Sequence, residues 1–192
     1  MRRRQVLFIQ AAGDKRAGSG PLIAHLERAL AGDFEVIAPD MPTPDRPQYA
    51  PWRDRIAHEL AVLVDDDALL VGHSLGGSVL VKCLAEGAHP QPLAGLFLVA
   101  APYWGANMPE FALPAGFAAR LPSIAATFLY HSRGDGEVPF SHVERYREAL
   151  THATVRPIDG DEHTFAGGLP ALVEDLVRIG LDRLDPRCMN PP

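Results

Sequence analysis

A serine flanked by glycines, between an apolar strand and a helix, is the feature that most constrains the fold of this chain. Residues 69–77 read LLVGHSLGG, and the following SVLVKCLAE has the apolar spacing of a helix. Glycine two positions before and two positions after Ser74 indicates a strand-to-helix turn so sharp that a side chain at either place would collide with neighbouring backbone. Such a turn holds the serine hydroxyl at the top of a sheet. The alternative is a glycine-rich turn in which the serine is incidental.

Apolar segments and helical periods alternate along the rest of the chain. The predicted strands are 5–10, 34–39, 68–72, 93–101, 126–132 and 153–158. The predicted helices are 21–30, 51–64, the segment after Ser74, 142–150 and 170–184. Parallel neighbours need long crossovers, so this alternation predicts six parallel strands in one α/β domain over residues 1–192, with 185–192 as a flexible tail. Ser141 with Glu144 predicts a capping box on the fourth helix.

Composition and charge favour one soluble domain that binds neither nucleic acid nor membrane. The 192 residues are 47% hydrophobic with a net charge of −6, and the basic cluster at 2–4 stands alone. The apolar segment after that cluster is too short for a signal peptide, and no segment is long enough to span a membrane. Cys83 and Cys188 lack the spacing of a disulfide framework or a metal site. We therefore expect a cytoplasmic protein, of bacterial origin from its Arg-, Ala- and Pro-rich composition, with no metal and no predicted oligomeric state.

A serine hydroxyl is a weak nucleophile, so Ser74 needs a nearby base and an acid that orients the base. In a parallel sheet these partners follow the carboxyl ends of later strands. Asp135 lies between two glycines directly after the strand 126–132, which makes it the candidate acid. Glu137 is the local competitor, but Val138 and Pro139 after it indicate that the chain is already leaving the sheet.

The candidate base is His163, in the sequence DGDEHTF at 159–165, which follows the last predicted strand. A solvated surface histidine is the alternative, and the assignment depends on the order Ser74, Asp135, His163, which this architecture imposes. Acyl transfer also needs donors for a developing oxyanion. The backbone N–H of the residue after the serine, Leu75, and one from the loop after the first strand, Ala12, are the predicted oxyanion hole.

With these residues the chain resembles the α/β-hydrolase superfamily. Its compactness is most similar to the small serine hydrolases grouped with retinoblastoma-binding protein nine and the bacterial YdeN-like proteins. The motifs that carry the resemblance are GHSLGG at 72–77, the Asp135 turn and the His163 loop. It implies a three-layer fold with six parallel strands, an eight-stranded plan without its first two strands. The sequence departs from the family in its first loop, where Gln10 and Ala11 replace the His-Gly of many members.

The resemblance and the triad order together predict a hydrolase for small esters or thioesters that works through an acyl-serine intermediate and needs no cofactor. Residues 102–125 are too few for a large lid, so we expect a minimal lid or none. Tyr103 and Trp104 in this segment are candidates for binding the acyl group, and packing onto the sheet is the alternative. Two other functions stay open: a protein-binding module on the same fold, and a cofactor-free perhydrolase or lyase with the same triad.

Overall fold

A parallel sheet of six strands runs through the middle of the molecule in the computed structural model, which describes residues 3–13, 20–63, 68–89 and 91–182. The strands are Arg4–Ile9 (β1), Phe34–Ile37 (β2), Leu69–His73 (β3), Gly95–Val99 (β4), Thr127–Ser132 (β5) and Thr154–Ile158 (β6). Their order is β2-β1-β3-β4-β5-β6, and every neighbouring pair is parallel. The prediction of six parallel strands is confirmed. The order places the end of β3, which precedes Ser74, at the centre of the sheet.

In the described ranges, five helices cover the two faces of the sheet: Pro21–Leu30 (α1), Tyr49–Val62 (α2), Leu75–Ala85 (α3), Ser141–Ala149 (α4) and Pro170–Asp182 (α5). Successive side chains of a strand point to opposite faces. Leu7 accordingly packs in a cluster with residues of α2, α3 and α4, whereas Phe8 packs in a second cluster with residues of α1 and α5. The molecule therefore has the three layers that the sequence predicted. All five residues of β3 and of β4 are buried, as expected for central strands covered on both faces.

The ends of some elements differ from the sequence predictions. The second strand ends at Ile37 rather than at residue 39, and the fourth spans only Gly95–Val99 of the predicted 93–101. The predicted capping box is wrong. Phe140 is the N-cap of α4, and no side chain caps this helix. The N–H of His142 donates to the carbonyl of Pro139, so the chain already turns before Ser141, and Ser141 lies inside the helix rather than at its cap.

The segment 102–125 crosses one face of the sheet as turns and extended chain, with a short 3₁₀ helix at Phe117–Arg120. It is fastened at Glu110, whose carboxylate accepts the backbone N–H of Tyr49 at 2.5 Å and whose carbonyl accepts a hydrogen bond from Lys82 Nζ at 2.7 Å. This agrees with the expected minimal lid. None of the helices that the structure describes has the length and hydropathy to cross a bilayer. The predicted tail at 185–192 lies outside the described residues.

Candidate active site

Ser74 lies on a strained turn between β3 and α3. Its φ of 50° and ψ of −126° are unusual for a residue with a side chain, and its N–H donates to the carbonyl of Val99 at 2.8 Å. Both flanking positions must be glycine because a side chain there would overlap neighbouring backbone. A Cβ on Gly72 would overlap the backbone of Gly77, and a Cβ on Gly76 would overlap the carbonyl of Gln10. The close approach at Gly76 packs the first turn of α3 against the end of β1.

The structure brings together the three residues that the sequence predicted as a triad. His163, in the loop after β6, has its Nε2 3.0 Å from Ser74 Oγ and its Nδ1 2.8 Å from Asp135 Oδ2. A carboxylate only accepts hydrogen bonds, so with neutral His163 the proton is on Nδ1 and Nε2 is free to accept the serine proton. His163 is therefore placed to act as a base toward Ser74.

Asp135, and not Glu137, meets Nδ1 of His163. The Asp135 side chain is fully buried, and its second oxygen, Oδ1, accepts the backbone N–H groups of Glu137 and Val138, both at 2.9 Å. These bonds fix the carboxylate within its own turn. The Glu137 side chain is 70% exposed and lies on the other side of the imidazole, with Oε2 3.8 Å from Nε2.

Of the two predicted oxyanion donors, Leu75 directly follows Ser74 and Ala12 lies in the loop after β1. Leu75 is the first residue of α3, so its N–H has no acceptor within the helix and lies at the positive end of the helix dipole. Ala12 lines a cavity together with Ser74. Gln10, which replaces the histidine of many family members, is buried at 2% exposure and does not line this cavity. The role of Leu75 and Ala12 as oxyanion donors remains a prediction.

A cavity of about 290 Å³ opens beside Ser74. One wall is apolar and comes from the end of β1, the following loop and the first turn of α1, and the other wall carries the side chains of Ser74 and His163. The lining residues are Phe8, Ala11, Ala12, Gly20, Pro21, Leu22, Ile23, His73, Ser74, Glu137, His163 and Thr164. Within the described parts of the chain, no cluster of three or more His, Cys, Asp or Glu side chains is arranged to hold a metal ion.

Tyr103 and Trp104, predicted from sequence to contact the acyl group, do not line this cavity. Tyr103 packs against the rings of Tyr146 and Phe117, at centroid distances of 5.0 and 5.9 Å, and the Trp104 ring lies 6.3 Å from the ring of His142. The packing alternative therefore describes these two side chains, because α4 supplies the aromatic partners that they contact.

Two buried histidines next to the triad have contacts that the sequence did not indicate. His73 Nε2 lies 2.9 Å from the carbonyl oxygen of His163, and His131 Nε2 lies 2.7 Å from the carbonyl oxygen of Val138. Burial lowers the pKa of His73 to about 4 and also lowers the pKa of His131, so both rings are neutral near pH 7. Their acceptors are main-chain carbonyls, which leave no pattern in a sequence. The only signal was their position at the ends of buried apolar strands.

The sequence matches the model of the alpha/beta hydrolase family over residues 8–187. The chain belongs to this family. Similar solved structures include the ydeN gene product from B. subtilis, with 20% identity, a TM-score of 0.77 and coverage of 92% of this chain and 98% of that one. A YdeN-like hydrolase from Pectobacterium atrosepticum has 17% identity and a TM-score of 0.69, with 95% of this chain and 94% of that chain covered.

A meta-cleavage product hydrolase from Pseudomonas fluorescens IP01 is also similar to this alpha/beta hydrolase, with 16% identity and a TM-score of 0.74 over 94% of this chain and 91% of that one. A comparison with curated proteins finds no match. At these identities the structural neighbours share the fold, and fold alone does not fix the reaction. The expected likeness to YdeN-like hydrolases is confirmed at the level of the fold.

Proposed function

We propose that this alpha/beta hydrolase is a serine esterase that cleaves small esters or thioesters through an acyl-serine intermediate. The observation that carries the proposal is the hydrogen-bonded series from Asp135 through His163 to Ser74 Oγ, at 2.8 and 3.0 Å, beside a cavity large enough for a small substrate. Membership of the family supports hydrolysis. The specificity for esters is our inference from a nucleophile, a base and an orienting acid in series.

The reaction follows from the positions of these groups. Ser74 Oγ attacks the substrate carbonyl carbon and its proton moves to His163 Nε2, while the buried carboxylate of Asp135 stabilises the imidazolium that forms. The N–H groups of Leu75 and Ala12 are assigned to the oxyanion. Collapse of the tetrahedral intermediate breaks the bond to the alcohol or thiol, which takes the proton from Nε2. Water then attacks the acyl-serine and gives its proton to His163 Nε2; the bond between Ser74 Oγ and the acyl carbon breaks, Oγ takes the proton back, and the carboxylic acid leaves.

The cavity favours short acyl groups. Its volume of about 290 Å³ is at the small end of ligand pockets, and the side chains of Phe8, Leu22 and Ile23 give it an apolar wall. The segment 102–125 is fastened at Glu110, contributes no residue to the cavity lining, and is too short to roof a long lipid groove. We therefore expect acetyl to butyryl esters to be better substrates than long-chain esters.

The test is turnover of a series of p-nitrophenyl esters of increasing acyl length, with a rapid-mixing measurement of the first turnover. We expect a burst of about one p-nitrophenol per enzyme, because p-nitrophenol is a good leaving group and the acyl-serine therefore forms faster than it is hydrolysed and accumulates. The value of kcat/KM should fall as the acyl chain lengthens. Ser74→Ala is the control and should show neither burst nor turnover.

Two results would contradict the proposal in different ways. Folded wild-type protein that turns over no ester in the series would favour the binding-module alternative. Turnover that rises toward long acyl chains would leave Ser74 in place as the nucleophile but would show that the cavity beside it does not set the size of the acyl group.

A further inference from the structure

His73 links the strand that carries Ser74 to the main chain of the candidate base. Its side chain is buried, with 4% of the residue exposed, and its Nε2 lies 2.9 Å from the carbonyl oxygen of His163. A carbonyl can only accept, so the proton is on Nε2 and His73 is the donor. This bond is separate from the side-chain contact between His163 and Ser74. It joins the His73 side chain, at the end of β3, to the main chain of the loop after β6, between residues 90 positions apart in the sequence.

The loop that His73 contacts is held in a strained conformation. Phe165, two residues after His163, has a φ of 51°, in the left-handed region that residues with a Cβ rarely adopt. Its side chain is 2% exposed, and its ring lies edge-on to the His73 ring at a centroid distance of 6.4 Å. A strained loop persists only where its surroundings impose it. His73 provides two of those contacts, a hydrogen bond at residue 163 and ring packing at residue 165.

We propose that His73 is a positioning residue, which fixes the main chain at His163 and thereby sets the distance between the imidazole and Ser74 Oγ. The proposal rests on the proposed function, because it assigns His73 a part in the same reaction. His73 does not exchange a proton with the substrate. Since burial keeps its ring neutral near pH 7, it has a single N–H, and that N–H is committed to the carbonyl of His163.

Loss of this bond should affect turnover more than substrate binding. The carbonyl of His163 would lose a buried donor, and the loop could relax away from the position in which Nε2 meets Ser74 Oγ. Small displacements of a base reduce the rate of proton transfer steeply. The apolar wall of the cavity comes from β1 and α1, which do not depend on this bond.

The test compares two substitutions of His73 with a remote control. His73→Phe keeps a ring on the cavity wall but has no donor, whereas His73→Gln keeps an N–H donor of comparable reach. His152→Gln is the control, because His152 is exposed and lies just before β6, at the opposite end of the strands from the site. For each variant the measurements are kcat, KM, the rate of fluorophosphonate labelling and the melting temperature.

We expect His73→Phe to lower kcat and the labelling rate by roughly 10- to 100-fold while KM changes by less than about threefold. His73→Gln should retain both rates within about fivefold, and His152→Gln should match wild type. If His73→Phe is unfolded at the assay temperature, His73→Asn takes its place, since its shorter amide cannot reach the His163 carbonyl.

A folded His73→Phe with wild-type kcat would overturn the proposal, and so would a His73→Gln as slow as His73→Phe. A readout independent of activity separates this proposal from the proposed function. In proton NMR, the Nδ1–H of His163 bonded to Asp135 should give a low-field signal that shifts or broadens in His73→Phe. If wild type is inert toward esters, the proposed function fails, and an unchanged Nδ1–H signal in the variant would then overturn the positioning role as well.

Discussion

Replacing Asp135 by Asn tests how the site holds its base. The buried carboxylate accepts the Nδ1–H of His163 at 2.8 Å through Oδ2, while Oδ1 accepts two backbone N–H groups at 2.9 Å. In the Asp135→Asn variant the amide oxygen would keep the two backbone donors, so the amide NH₂ would face Nδ1. Nδ1 would then have to accept, and the imidazole proton would move to Nε2, where it prevents His163 from taking the proton of Ser74.

The expected loss of turnover in Asp135→Asn can be estimated from a known case. The corresponding change in a serine protease costs about 10⁴ in turnover. Allowing for a more forgiving site, we expect Asp135→Asn to lower kcat for a short p-nitrophenyl ester by about 10² to 10⁴, or about 3 to 5 kcal/mol of transition-state stabilisation. The substitution removes no buried volume, so the melting temperature should change little.

Glu137→Gln is the matched control, because it makes the same chemical change two residues along the chain. The Glu137 carboxylate is 70% exposed and 3.8 Å from Nε2, so solvent screens it and the loss should be less than about tenfold. Near wild-type turnover in Asp135→Asn together with a large loss in Glu137→Gln would show that Glu137, and not Asp135, orients the base. Such a result would not contradict the roles of Ser74 as nucleophile and His163 as base.

Two further predictions concern stability. The pKa of His73 is about 4 in the folded protein against about 6.5 when unfolded, so the unfolded chain binds more protons between these values and the free energy of unfolding should fall as the pH drops from 6.5 to 4, by at most about 1.4 kcal/mol per pH unit. Urea unfolding across this range should show a shallower slope for His73→Gln, and equal slopes would contradict the prediction. Gly76→Ala should lower the free energy of unfolding by about 2 kcal/mol or more, because its Cβ would overlap the carbonyl of Gln10. Gly32→Ala, whose Cβ would meet nothing, is the control, and equal losses would show that the contact at Gly76 is not limiting.

The strands and the order of the candidate triad could be predicted because both depend on local signals. A fully buried strand is a continuous apolar segment, as at 69–73, and a parallel sheet brings the loops after β3, β5 and β6 to one edge. Ser74 directly follows β3, Asp135 lies three residues after the end of β5, and His163 lies in the loop after β6. Topology therefore places them together even though up to 89 residues separate them.

The environment of the aromatic residues after β4 could not be predicted in the same way. Tyr103 in an acyl pocket and Tyr103 packed on the protein have the same sequence pattern, and the decision depends on Tyr146 of α4, which is a tertiary partner. The contacts of His73 and His131 were missed for a related reason, because their acceptors are carbonyl groups that every residue has. The predicted capping box at Ser141 was wrong because α4 begins one residue earlier, with Phe140 as its N-cap, after the turn that the bond from His142 N–H to the Pro139 carbonyl closes.

Labelling with a fluorophosphonate, followed by peptide mapping in a mass spectrometer, tests most directly whether Ser74 is an activated nucleophile. The reagent phosphonylates a serine only where a base and oxyanion donors activate it. We predict that one serine is modified, that it is Ser74, and that Ser74→Ala abolishes the label without a change in melting temperature. Wild-type protein that stays unlabelled under conditions in which a known serine hydrolase reacts, or that is labelled at another serine, would contradict the proposed acyl-serine chemistry.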